Sequence, residues 1–145
     1  MRRIAILVGL SAMLLAMVVG AAVAVEKFCD EVPCRGTEND DRLEERRGDH
    51  ERDRILGLDG EDVIDASEFD RDRDVAEGGQ KDDRLFTDDG DGKDAARGGR
   101  GSDRCVADSG DSVSSCRRID PASAEAKALA AEVSNASASE GSSSP

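Results

Sequence analysis

Four aspartates recur in this chain at one fixed place in a repeated segment. They are Asp41 in residues 36–44 (GTENDDRLE), Asp62 in 57–65 (GLDGEDVID), Asp83 in 78–86 (GGQKDDRLF) and Asp103 in 98–106 (GGRGSDRCV). In each segment Gly stands first, Asp sixth, and an apolar residue or Cys eighth: Leu43, Ile64, Leu85 and Cys105. The opening glycines lie 21, 21 and 20 residues apart. A carboxylate that returns with so steady a period stacks on its own copies. Stacked carboxylates repel unless a counter-charge lies between them. Ca²⁺ meets that need, because it takes about six to eight oxygens in flexible geometry. The candidate calcium gaps are therefore Asp41/Asp62, Asp62/Asp83 and Asp83/Asp103.

The elements that position these residues follow from residue type. The first six positions of each segment want turn chemistry, since Gly supplies positive φ and Asp or Asn tolerates it. The last three read polar–apolar–polar, a short strand with one residue facing inward. Weaker units lie between the four clear ones. Residues 48–56 place Asp53 and Ile55 at positions six and eight, and 89–97 place Asp94 and Ala96 there. Around 70–76 the match is poor, with Arg73 sixth and Val75 eighth. The expected inward residues are Leu43, Ile55, Ile64, Val75, Leu85, Ala96 and Cys105, spaced 12, 9, 11, 10, 11 and 9 apart. Two such half-turns make one coil, so the expected fold is an all-β parallel β-roll, a β-solenoid of about 3.5 coils. One inward residue per strand is a thin core. Burial alone does not offset the ordering of the turns, at about 1–2 kcal/mol per backbone residue.

Composition bounds the rest. The chain has 145 residues, a formal net charge of −13, three Phe and no Trp or Tyr. Residues 1–24 read as a secretory signal peptide: a basic start at Arg2 and Arg3, an apolar run, and Ala22-Val23-Ala24 for cleavage after Ala24. An uncleaved membrane anchor is the other reading, because 4–25 is long enough to span a bilayer. Cleavage removes Arg2 and Arg3 and moves the formal charge from −13 to −15. A polyanion with so little to bury needs a neutralising partner to fold. Nucleic acid is disfavoured by phosphate repulsion. Calcium ions fit, a cell-surface or extracellular protein partner stays open, and the chain is expected to be a monomer.

Cys29, Cys34, Cys105 and Cys116 form two close pairs that bracket the repeats. An even count in an exported chain favours disulfides, with three connectivities open. Proximity favours Cys29–Cys34 and Cys105–Cys116. Zinc is a poor alternative, because no Cys-x-x-Cys occurs and His50 is the only histidine. The chain thus divides into the signal peptide 1–24, a lead with the first Cys pair 25–35, a repeat block with its cap 36–119, and a low-complexity tail 120–145. Within the tail, 123–133 suits a short helix and the Ser-rich end suits disorder. Asn135-Ala136-Ser137 fits a glycosylation sequon, which such a tail also produces by chance.

The segments resemble the Gly-Gly-x-Gly-x-Asp-x-apolar-x nonapeptides of the RTX, or hemolysin-type, calcium-binding repeat family of secreted bacterial proteins. The resemblance spans roughly residues 35–116. It implies a parallel β-roll that folds on binding Ca²⁺ between its turns. Asp41, Asp62, Asp83 and Asp103 match the ligand Asp, and Gly36, Gly57, Gly78 and Gly98 match the first position of turns whose carbonyls complete the site. Asp53 and Asp94 would add one or two sites on the opposite edge. The segment holding Asp108, Asp111 and Cys116 resembles the cap after the last turn. Residues 98–106 match the pattern at every key position except Cys105. Elsewhere Thr37 and Leu58 replace the second Gly, and Asn39 and Lys81 the fourth. Arg42, Arg84 and Arg104 sit beside the ligand Asp, where they compete with a metal for its charge.

Other chemistries find less support. Asp70, Asp72 and Asp74 imitate the start of an EF-hand loop, but Val75 stands where that loop needs Gly and Lys81 where it needs Glu. No nucleophile–base pair occurs, and no apolar pocket is foreseen that would separate the pKa values of paired carboxylates. The expected protein is therefore not an enzyme. Three readings remain: an exported calcium-binding β-roll, a metal-independent extracellular module with decayed repeats, or a disordered acidic secreted protein.

Overall fold

The repeats fold as turns and short strands, but the turns are shorter than the six residues expected: in 57–65, 78–86 and 98–106 the first three residues extend the preceding strand and only the next three turn. The computed structural model describes residues 25–29, 32–45, 52–68 and 72–140. The expected signal peptide, its cleavage point after Ala24, Gly48, His50 and Asp70 lie outside the described residues. The strands are β1 (Glu26–Cys29), β2 (Cys34–Arg35), β3 (Arg42–Glu45), β4 (Arg54–Asp59), β5 (Val63–Asp65), β6 (Val75–Gln80), β7 (Arg84–Thr87), β8 (Ala95–Arg100), β9 (Arg104–Ala107), β10 (Ser112–Ser114) and β11 (Arg117–Ile119). One sheet has the order β1-β3-β5-β7-β9-β11, the other β10-β8-β6-β4-β2. The pairings in both sheets are parallel. Alternate strands go to alternate sheets, so the chain winds as a β-solenoid. The stack is extended at both ends. The lead 25–35 supplies β1 and β2, and the segment after the last repeat supplies β10 and β11.

The core is two ladders facing each other across the coil. Leu43, Ile64, Leu85 and Cys105 are in register and fully buried. Opposite them stand Cys34, Ile55, Ala76 and Ala96, also fully buried, with Val113 next in register. Ala76, rather than Val75, is therefore the inward residue of β6, and Val75 is half-buried on the outer face. The reason is register: Ile55 pairs with Ala76, and strand pleating then turns Val75 outward. With Ala76 in place the inward spacings become 12, 9, 12, 9, 11 and 9. The nine-residue steps run through one edge of the coil and the longer steps through the other.

Disulfides Cys29–Cys34 and Cys105–Cys116 close the first and last coils. The tail carries a helix, α1 (Ala124–Glu140), longer than the expected 123–133. Ser123 caps it, its Oγ accepting from the Ala126 N–H at 3.1 Å. Ala126, Leu129 and Val133 share one helix face and cover Phe86, Val106 and Ile119 on the outer face of the six-stranded sheet. That docking carries helix beyond what propensity alone supports. Asn135 lies exposed on α1. The outer face of the five-stranded sheet mixes the two kinds of residue: Glu77 bridges Arg54 and Arg97 at 2.9 and 2.8 Å, beside Leu56, Val75 and Ala95.

Leu85 fills the middle of the tube, whereas Leu58 is 39% exposed. Leu85→Ala is expected to lower stability by about 3 kcal/mol, the cost of a cavity in a closely packed core. Leu58→Ala should have a much smaller effect. Urea unfolding of the two oxidised variants measures the difference.

Candidate metal centre

The site is built from two stacks of aspartate, one on each edge of the coil. On the edge with nine-residue steps the stack is Asp41, Asp62, Asp83 and Asp103. The main-chain N–H of each residue donates to the carboxylate of the next: Asp41 to Asp62 Oδ1 at 2.8 Å, Asp62 to Asp83 at 2.9 Å, and Asp83 to Asp103 at 2.9 Å. The opposite edge repeats the arrangement with Asp53, Asp74, Asp94 and Asp111, at 2.7, 2.8 and 3.1 Å. The sequence had placed Asp53 and Asp94 on this edge but assigned the turn between them to Arg73. Asp74 holds that place, 21 residues after Asp53 and 20 before Asp94. Those intervals are the signal that would have found it.

The ladder bond engages Oδ1, and on the nine-residue edge Oδ2 faces the opening glycine of its own turn. At the start of one stack and the end of the other Oδ2 finds partners. Asp41 Oδ2 accepts from the Thr37 N–H at 2.5 Å and its hydroxyl at 3.0 Å. Asp111 Oδ2 accepts from the Thr87 hydroxyl at 3.2 Å and the Asp108 N–H at 2.8 Å. Oδ2 of Asp62, Asp83, Asp94 and Asp103 is buried with no hydrogen-bond partner.

The opening glycines make room for this oxygen. A Cβ on Gly36 would fall 2.6 Å from both Asp41 Oδ2 and the Gly57 carbonyl. Gly57, Gly78 and Gly98 meet Asp62, Asp83 and Asp103 Oδ2 more closely still, each with a carbonyl from the next coil alongside. Leu58 and Lys81 stand where the repeat pattern has Gly, and both hold positive φ, 90° and 73°. Strand register and the ladder bonds impose that conformation against its intrinsic cost. Lys81 also forms an ion pair with Asp40 at 3.5 Å, so part of the counter-charge on this edge belongs to the chain itself.

Burial is the main force on these acids. It raises Asp62 and Asp83 from 3.8 to about 7, Asp94 to about 7 and Asp74 to about 8. The ladder N–H bonds oppose the rise. Neighbouring carboxylates add to it: Asp41 at Asp62, Asp62 at Asp83, Asp72 at Asp74, and Asp89 at Asp94. Buried, mutually repelling oxygens of this kind call for protons or for a hard cation. Among the described residues, three sets of acids bring oxygens within 4.8 Å of one another: Glu45–Asp53–Asp74, Asp72–Asp74–Asp94 and Asp89–Asp91–Asp94. All three lie on the edge with the longer turns. None includes Asp41, Asp62, Asp83 or Asp103. Glu45, Asp72, Asp89 and Asp91 do not hold the sixth, ligand position of a repeat, so the nonapeptide pattern did not single them out.

The fold and site together define a parallel β-solenoid with buried aspartate ladders and acidic groups suited to a hard metal ion. No protein family, no curated protein and no solved structure matches the chain.

Two outcomes are expected. Gly78→Ala should lower stability by about 2 kcal/mol or more, because the added methyl overlaps backbone that cannot move independently; denaturant unfolding measures it. The second concerns pH. The ladder acids bind protons more tightly folded than unfolded, so metal-free stability is greatest near pH 4. Their contribution should fall steadily as pH rises from about 4, where the unfolded chain loses these protons, and level off above about 7 to 8, where the folded state has lost them too. Thermal unfolding in EGTA across that range should show a falling midpoint.

Proposed function

We propose that this protein is an exported, non-catalytic calcium-binding β-roll of the RTX kind, stabilised by Ca²⁺ held between stacked Gly/Asp turns. The observation that carries the reading is the set of buried Oδ2 atoms without hydrogen-bond partners, on Asp62, Asp83 and Asp103 stacked along one edge and on Asp94 on the other. Carboxylate and carbonyl oxygens with no nitrogen or sulfur donor suit Ca²⁺ better than a transition metal. Asp41, Asp62, Asp83 and Asp103 would supply carboxylates on one edge and Asp53 and Asp94 on the other. The carbonyls of Gly57, Gly78 and Gly98 are stacked alongside. Export through a signal peptide cleaved after Ala24 accords with the two disulfides, which point to an oxidising compartment. No helix among the described residues is long and apolar enough to cross a membrane.

A metal-independent extracellular module is the second reading, and one observation favours it. The carboxylates of Asp41, Asp62, Asp83 and Asp103 on one edge and of Asp74, Asp94 and Asp111 on the other already accept a main-chain N–H, and Lys81 neutralises part of the first edge. Thermal unfolding followed by far-UV circular dichroism separates the two. In millimolar Ca²⁺ at pH 8 the midpoint should rise well above its value in EGTA, and calorimetry should show binding. Equal midpoints and no binding heat would reject the calcium reading in favour of the second.

A further inference from the structure

We propose that Lys81 is a counter-ion built into the chain: its ammonium stands over the turns of Asp41 and Asp62 and competes there with Ca²⁺. The inference rests on the calcium reading and adds to it the residue that sets affinity at one gap.

Lysine is the wrong residue for the backbone it occupies. Lys81 is the fourth residue of its segment, where 57–65 and 98–106 have Gly60 and Gly101. Its φ is 73°, left-handed backbone that glycine adopts freely and a side chain adopts only at a cost. What the side chain reaches lies two coils away. Lys81 belongs to the turn of Asp83, yet its Nζ meets Asp40 Oδ1, in the turn of Asp41, at 3.5 Å. The stacking order is Asp41, Asp62, Asp83, so the side chain crosses the turn of Asp62 to get there. Asp40 Oδ1 also accepts the Glu61 N–H at 2.9 Å, which fixes the anchoring carboxylate across the gap between the first two turns.

The electrostatics agree with that placement. Burial raises the Asp62 pKa, the Asp41 and Asp40 carboxylates raise it further, and Lys81 lowers it. At Asp83, in the same turn as Lys81, the neighbouring charges of Asp62, Asp103 and Asp82 all raise the pKa. The ammonium therefore acts at the gap Asp41/Asp62 and not at its own turn. Asp62 is fully buried and its Oδ2 has no hydrogen-bond partner, so this is where a divalent ion gains an oxygen. An ion entering there meets a like charge already in place. The Lys81 side chain is 56% exposed, so it swings aside without disturbing the coils, and the two cations compete.

Two variants separate charge from backbone. Lys81→Gln removes the ammonium and keeps a side chain on left-handed backbone, and Lys81→Gly removes both. Calorimetric Ca²⁺ titration of the oxidised proteins at pH 8 should show both binding at one site about threefold or more tighter than the parent, the scale of one charge acting on a divalent ion across exposed surface. In EGTA at the same pH, Lys81→Gln should melt below the parent, because Asp40, Asp41 and Asp62 lose their counter-charge. Lys127→Gln removes a charge from the exposed face of α1 and should match the parent in both measurements. Circular dichroism reports folding. Parent-like affinity in both Lys81 variants would overturn the inference and leave the calcium reading standing, and so would equal tightening in Lys127→Gln. An unchanged EGTA midpoint in Lys81→Gln would also overturn it. Binding by the Lys81 variants but not by the parent would uphold it and assign the parent to the metal-independent reading. No binding by any of these proteins would reject both.

Discussion

One interaction ties each coil to the next: the main-chain N–H of a ladder aspartate donating to the buried carboxylate of the aspartate one coil on. It recurs on both edges, at distances from 2.7 to 3.1 Å. A β-solenoid needs something of this kind, because strands with one inward side chain each bury little apolar surface. The bond uses a charged acceptor, which makes it stronger than an ordinary amide contact. It also forces that acceptor into the tube, where ionisation is disfavoured. The same carboxylate therefore orders the turn and creates the need for a counter-charge.

Much else follows from where the second oxygen goes. On the nine-residue edge it faces the first residue of its own turn, which must be glycine because a methyl would overlap it. Thr37 gives Asp41 a hydroxyl at the start of one stack, and Thr87 gives Asp111 one at the end of the other. Asp62, Asp83, Asp94 and Asp103 keep a bare oxygen. Lys81 supplies an ammonium to the nine-residue edge at the expense of a left-handed backbone. The arginines at the seventh positions point away from the core. Arg42, for example, bonds Glu44 at 2.6 Å. The helix serves a different purpose: it hides the apolar residues Phe86, Val106 and Ile119, which the solenoid leaves on its outer surface.

The architecture was legible in the sequence because its signal is local and repeated. Gly, Asp and an apolar residue in constant order specify a turn, a ladder and an inward side chain. The period of 20–21 residues assigned Leu43, Ile64, Leu85 and Cys105 to one wall of the tube, where the structure has them. Sequence order also sufficed to pair the cysteines by proximity. The signal failed where the repeat is interrupted. Extra residues before Asp74 hid its ladder position, and Val75 was read as inward because a valine looks more like core than an alanine does. Parallel register chose Ala76 instead, since a strand fixed at one pair has every other side chain fixed by the pleat.

By itself, then, the chain's sequence determined the coil, its period, the aspartate of each strong turn and the glycine that accommodates it. Those choices are dictated by backbone conformation and by short-range spacing. Only the tertiary structure decided which acids meet. Asp72 and Asp74 lie in one turn and Asp94 in the next on that edge, and their proximity depends on the register between neighbouring coils. The covering of Phe86, Val106 and Ile119 by α1 was likewise decided by packing, because a helix face and a sheet face distant in sequence recognise each other only through the area they remove from water.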